Sequence, residues 1–234
     1  MEKYISLAHG DGGELSHRLI RDLFVEAFGD GKAAMFDAAE ITLTSQQIAV
    51  STDSFVIKPI FFPGGSIGKL AVAGTVNDLA VSGAKPAFLT CGFVIEEGFP
   101  VSDLKRIVRD MAEEARKTGV AIVAGDTKVV ERGSADGVYI NTTGIGIYEP
   151  GIGCSLEFEK GDAIIVTGSI GDHGIAVLAA RGELGITVPI NSDCASLNRM
   201  LGEVLRNTDG VRIMRDPTRG GLATTLVKLP RIFI

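Results

Sequence analysis

The stretch Pro63-Gly64-Gly65-Ser66-Ile67-Gly68-Lys69-Leu70-Ala71-Val72-Ala73-Gly74-Thr75-Val76-Asn77-Asp78-Leu79-Ala80-Val81-Ser82-Gly83-Ala84-Lys85-Pro86 decides how the rest of this sequence is read. Between Lys69 and Lys85 the one charged residue is Asp78, set among small and apolar side chains that predict a helix packed on most of its faces. A carboxylate inside such a segment has no capping role, and desolvating it without compensation costs several kcal/mol. Asp78 therefore calls for a cation or for backbone donors. Working outward, Asp53 follows the apolar run Ile48-Ala49-Val50-Ser51-Thr52, and Asp126 follows Val120-Ala121-Ile122-Val123-Ala124-Gly125. Taken singly, an Asp at a strand end also reads as a turn or helix cap. Carboxylates gathered from strand and helix ends suit a hard divalent cation, and Mg²⁺ held in this way is usually shared with substrate phosphates. The pattern predicts a nucleoside triphosphate site, with Asp37 as a possible fourth carboxylate.

The remaining composition narrows the class. At 234 residues and 45% hydrophobic content the chain can build one large or two modest cores. Apolar runs are interrupted well short of the roughly 20 residues of a membrane span, and no signal segment opens the chain, so a cytoplasmic protein is expected. Cys91, Cys154 and Cys194 are widely spread with no CxxC spacing and read as reduced, buried thiols. His9, His17 and His173 lie too far apart in sequence for a zinc motif. A net charge of -6 without a basic cluster argues against nucleic acid as principal partner.

Along the chain, His9-Gly10-Asp11-Gly12-Gly13-Glu14 runs into a helical pattern. A glycine loop before a helix start exposes backbone N–H groups that suit phosphate oxygens, and it equally suits an N-terminal arm. A hairpin is expected from Ile41–Leu43 and Ile48–Thr52. Gly64 to Lys69 is no Walker A motif: three residues separate the glycines and Leu70 stands where a hydroxyl is required. Next come a strand Phe88–Ile95, a helix Val101–Thr118, a strand Val120–Ala124 and a strand Tyr139–Gly146. The order reads as α+β rather than repeated βαβ. A second unit begins near Gly151, with a strand Ala163–Thr167, helices up to Arg181 and over Ser196–Asn207, and a last helix Ala223–Lys228 that Pro230 is expected to break.

His9-Gly10-Asp11-Gly12-Gly13, Phe62-Pro63-Gly64-Gly65, Gly74-Thr75-Val76-Asn77-Asp78-Leu79, Gly125-Asp126-Thr127-Lys128-Val129-Val130, Asn141-Thr142-Thr143-Gly144-Ile145-Gly146, Gly171-Asp172-His173-Gly174 and Arg215-Asp216-Pro217-Thr218-Arg219-Gly220-Gly221-Leu222 together resemble the HypE family. These are the carbamoyl dehydratases of nickel-iron hydrogenase maturation, relatives of aminoimidazole ribonucleotide synthetase, selenophosphate synthetase and thiamine-monophosphate kinase. The resemblance runs from about residue 5 to 226. It implies a two-domain α+β fold of the aminoimidazole-ribonucleotide-synthetase kind, with an ATP-binding and dimerisation domain over 1–150 and an incomplete C-terminal α+β domain over 151–234. The N-terminal sheets of a homodimer would join in a shared barrel.

By the same resemblance, Asp53, Asp78 and Asp126 would hold Mg²⁺ with Asp37 and Asp216 as further ligands, and Lys128 would touch the phosphates or the reacting amide. Gly10, Asp11, Gly12 and Gly13 would close over the ATP triphosphate, with Asn77, Thr127 and Asn141 completing the nucleotide contacts. The implied reaction dehydrates a cysteine S-carboxamide to a thiocyanate, in concert with a carbamoyltransferase partner and an iron-carrying maturation scaffold. The family ends in Pro-Arg-Ile-Cys. Here Pro230-Arg231-Ile232 is followed by Phe233-Ile234 and no tail cysteine, so the chain as given is expected to bind nucleotide weakly and not to turn over alone. A small-molecule kinase or synthetase of the same superfamily, or a non-catalytic nucleotide-binding scaffold, are the other readings.

Overall fold

The computed structural model describes residues 2–29, 38–155, 159–183, 185, 189–218 and 220–233. A 3₁₀ turn (Leu7–His9) leads into one continuous helical stretch made of α1 (Glu14–Leu19), a π-helical segment (Ile20–Val25) and α2 (Glu26–Phe28). Then follow β1 (Ile48–Phe55), the small hairpin β2 (Phe61–Phe62) and β3 (Gly65–Ser66), α3 (Ile67–Val81), β4 (Lys85–Glu96), α4 (Val101–Thr118), β5 (Ala121–Val130) and β6 (Val138–Ile147). Beyond residue 150 come α5 (Asp172–Arg181), α6 (Asn198–Asn207) and α7 (Gly221–Phe233).

β1, β6, β4 and β5 form one sheet in that order. β6 is antiparallel to both neighbours, whereas β4 and β5 are parallel. A parallel pair needs a long crossover, and α4 supplies it. Strand alternation gives the sheet an inner face, where Leu89, Cys91, Phe93, Ile95, Val138, Ile140 and Phe55 are buried. The other face is open: Val50 is 63% exposed, and Val94 and Tyr139 are also exposed.

The Asp78 helix lies on the inner face, as its run of small and apolar residues predicts. Ser66 caps it, accepting from the Lys69 amide at 3.3 Å while donating to Asp110 Oδ2 at 2.7 Å. Ile67, Ala71, Val72, Val76 and Leu79 are fully enclosed, each large aliphatic contributing about 1.5–3 kcal/mol. Gly68 lets α4 come close, since a Cβ there would press into the Ile107 carbonyl oxygen and stand 3.0 Å from Met111 Cγ. A buried hydroxyl pair pins α3 to β6. Thr142 Oγ1 donates to the Ala71 carbonyl at 3.0 Å, so Thr75 Oγ1 must donate to Thr142 Oγ1, 2.6 Å away.

Residues beyond 150 dock on this frame. Phe62 and His173 meet edge to face with centroids 5.3 Å apart, and the Ser192 amide donates to the Pro63 carbonyl at 2.8 Å. Asn198 Nδ2 donates to the Thr118 carbonyl at 2.9 Å, and Arg206 pairs with Glu149 at 3.6 Å.

Three sequence expectations need correction. Residues 41–43 are not a strand, because β1 takes its antiparallel partner from β6, pairing Ile48 with Ile147 through Phe55 with Ile140. Residues 163–167 are also not a strand: Ile165 is 84% exposed, and no described strand lies beside it. The last helix passes through Pro230 to Phe233. A proline there costs one backbone hydrogen bond in the final turn, a local loss that the helix absorbs.

Candidate functional site

Asp78 lies in the last turn of α3, where the helix dipole disfavours an anion. Ser51 Oγ donates to its Oδ2 at 2.7 Å. The carboxyl of Asp216, on the segment leading into α7, is close enough to hydrogen-bond with that of Asp78. Burial, and then the charge and hydrogen bond of Asp78, push the Asp216 carboxyl up to about 6. Two carboxyls at a helix C-terminus, with a hydroxyl beside them, are a donor set that a hard cation would relieve. Alternation along β1 puts Asp53 on the same side of the strand as Ser51, and its Oδ1 accepts from the Ser54 amide at 3.1 Å.

A second group of expected residues gathers at β5. Gly10 packs against this strand so closely that a Cβ would stand 2.8 Å from the Val129 amide nitrogen. That contact sets the Gly10–Gly13 loop on the inner side of β5, the side opposite the Lys128 side chain. Within the loop, Gly12 has φ +82 and Asp11 Oδ1 accepts from the Gly13 amide at 2.8 Å. His9 anchors the loop from beneath, buried, with Nδ1 3.1 Å from the Ser6 amide. A backbone N–H can only donate, so Nδ1 is the unprotonated nitrogen.

Asp126 and Lys128 are exposed on the open face, opposite buried Val129, whereas Thr127 alternates to the inner side across from Phe93. Register puts Ser54, Asn141, Gly92 and Asp126 in one row across that open face. Asn141 Nδ2 donates to the Asp53 carbonyl at 3.0 Å and to Ser54 Oγ at 3.1 Å, which fastens β1 to β6.

The expected carboxylates thus do not all converge within one chain. Asp78 and Asp216 meet near edge strand β1, with Asp53 on that strand, while Asp126 belongs to the opposite edge and the opposite face. The reason is topological, because β6 and β4 separate the two edges. Among the described residues no three Asp, Glu, His or Cys side chains are grouped to hold a metal ion. Asp37 lies outside the described residues. Asn77, expected at the nucleotide, has both ends of its amide bonded to the second unit, to the Ala195 carbonyl at 2.9 Å and the Leu197 amide at 2.8 Å. Ser51 and His9 were not singled out as site residues. Ser51 was accessible to alternation, standing two residues before Asp53 on the same side.

The chain matches the AIR synthase related protein N-terminal domain over residues 35–148 and the corresponding C-terminal domain over residues 159–230. It is 47% identical over 229 residues to carbamoyl dehydratase HypE of Azotobacter vinelandii, covering 97% of this chain and 67% of that protein. It is 48% identical over 225 residues to carbamoyl dehydratase HypE of Escherichia coli K12, covering 93% of this chain and 67% of that one. The chain spans about two thirds of the length of these relatives. Among solved structures, hydrogenase maturation protein HypE in complex with ATP superposes with a TM-score of 0.90 at 48% identity, over 95% of this chain and 67% of that chain. A HypE-HypF complex superposes with a TM-score of 0.76 at 51% identity, over 92% of this chain and 70% of that chain. No described helix is long and apolar enough to cross a membrane. With both domain models matched and 47–48% identity over more than nine tenths of its length, the chain belongs to the HypE family of carbamoyl dehydratases.

Proposed function

We propose that this chain serves as an ATP-dependent carbamoyl dehydratase in hydrogenase maturation, working in the cytoplasm with a carbamoyltransferase partner of the HypF kind and an iron-carrying scaffold. The observation that carries this reading is the superposition on an ATP-bound HypE at TM-score 0.90 across nearly the whole chain. The site geometry agrees with it in two halves. At one edge of the sheet, the Gly10–Gly13 loop packs on β5 at Val129 and offers backbone N–H groups to an anion, with Lys128 on the open face of the same strand. At the other edge, Asp78 and Asp216 form a carboxyl pair in need of positive charge.

A homodimer reconciles the halves. β1 and β5 are the sheet edges, and an edge strand with free backbone groups is a template for pairing. If β1 of one copy lies beside β5 of another, Asp53 and Asp78 of the first copy come to the side of the second copy's β5 that carries the glycine loop, with Asp126 and Lys128 on the other face of that strand. Exposed Ile48 and Val50 on β1 favour such a covered arrangement. Each shared barrel would then carry two composite sites, and the domain division near residue 150 would leave the second unit as the wall that brings Asp216. Asp78 and Asp216 are the carboxyl pair that would hold Mg²⁺, which when bound would supply charge neutralisation of the triphosphate.

In this reading, the amide oxygen of a cysteine S-carboxamide attacks the γ-phosphorus and the bond to ADP breaks, leaving an imidate phosphate. Loss of phosphate from carbon, with protons leaving nitrogen, gives the thiocyanate. Lys128 offsets charge on the phosphoryl oxygens, a role worth several powers of ten in comparable transfers. None of the three cysteines suits the carrier. Burial raises Cys91 and pushes Cys194 up to about 11, and Cys154 is also raised by burial, so the acceptor sulfur comes from another cysteine. The test is incubation with ATP, Mg²⁺ and a peptide carrying a C-terminal cysteine S-carboxamide. Loss of one water from the peptide by mass spectrometry, coupled to ADP release, is expected. ATP-dependent phosphorylation of a small acceptor, with no dehydration of the peptide, would overturn the reading.

A further inference from the structure

Asn77 precedes Asp78 by one position on α3, and 3.6 residues per turn send their side chains to different sides of the helix. Asp78 reaches Ser51 on β1. Asn77 reaches the segment 189–197 that leads into α6, accepting from the Leu197 amide at 2.8 Å and donating to the Ala195 carbonyl at 2.9 Å. One bond accepted and one donated fix the orientation of the carboxamide, because a backbone carbonyl only accepts and a backbone N–H only donates. Neighbouring anchors point the same way: Ser196 Oγ donates to the buried Glu114 at 2.6 Å, and Asn198 Nδ2 donates to the Thr118 carbonyl. From Leu197 the chain runs through α6, packed on α3, and then past Val211, whose carbonyl accepts from the Ser155 amide at 3.1 Å, to Asp216.

We propose that Asn77 is a positioning residue, a clip that fastens the second unit to α3 and so keeps Asp216 beside Asp78. The importance of that pairing rests on the function proposed above, whereas the clip itself does not.

The experiment is amide hydrogen exchange of the full chain, corrected for intrinsic rates, on the wild type and Asn77→Ala at a single pH of about 7. In Asn77→Ala the Leu197 amide is expected to exchange about tenfold faster, with residues 211–218 loosened and β6 unchanged. Unchanged protection of Leu197 or of residues 211–218 in Asn77→Ala overturns the clip. Binding of Mg-ATP on the same samples separates the two readings. A wild type that fails to bind while Asn77→Ala loosens residues 211–218 sinks the functional reading and leaves the clip standing. Loss of binding in Asn77→Ala with Leu197 still protected makes Asn77 a nucleotide contact and overturns the clip.

Discussion

Replacing Asp216 by Asn removes one of two carboxyls that crowd each other at the C-terminal end of α3, and the expected consequence is a gain in stability that depends on pH. Asp216 has a folded pKa of about 6 against an ordinary 3.8, a gap of roughly two units, or about 3 kcal/mol if transmitted in full. The residue is half-buried, and solvent screening reduces this to about 1.5 kcal/mol. The folded state holds the proton more tightly than the unfolded chain. Stability linked to Asp216 is therefore fully present below pH 3.8 and is lost as pH rises through about 6. Asp216→Asn should raise the melting temperature by about 3–6 °C at about pH 8 in the presence of a chelator, and by almost nothing near pH 3.5. Thermal melts followed by circular dichroism read this directly. A Mg²⁺ titration adds a second arm, since the wild type should recover stability that the variant cannot. A lower melting temperature for Asp216→Asn at pH 8 without metal, or an equal shift at both pH values, would refute the reasoning.

Other expectations test the frame and the site separately. Ser51→Ala removes the 2.7 Å hydrogen bond to Asp78 and should cost about 1–3 kcal/mol in urea unfolding, with the slope unchanged. Thr142→Val leaves the Thr75 hydroxyl buried without its acceptor, so a loss of about 1–3 kcal/mol is expected by the same measurement. Gly68→Ala forces α3 and α4 apart at the Ile107 carbonyl and should destabilise by about 1–3 kcal/mol, seen as a lower melting temperature. Lys128→Ala, on the exposed face of β5, should leave stability within about 0.5 kcal/mol. The same change should lower ATP-dependent turnover by about a hundredfold or more, and an unaffected rate would remove Lys128 from the proposed chemistry.

Local pattern made much of this protein legible from its residues alone. The apolar run with one carboxylate gave α3, the helical pattern gave α4 with its bounds at Val101 and Thr118, and the strands expected over 88–95 and 139–146 fall within β4 and β6. These features depend on neighbours a few positions away, and the motif wording placed the chain in its family. Pairing was another matter. β1 found its partner about ninety residues downstream rather than in the adjacent segment, because α3 lies across both β1 and β6, a packing that no local pattern encodes. The same distance rule divided the expected cation ligands. Sequence marked Asp78 inside a helix, Asp126 after an apolar run and Asp216 before the last helix as ligands of one cation, whereas strand order put Asp126 on the far edge and left Asp216 beside Asp78. Asn77 differs from Asp78 by one position and by about 100° of helix rotation. That angle alone turned it toward the backbone at Ala195 and Leu197, and only the packed structure could reveal what stood in that direction.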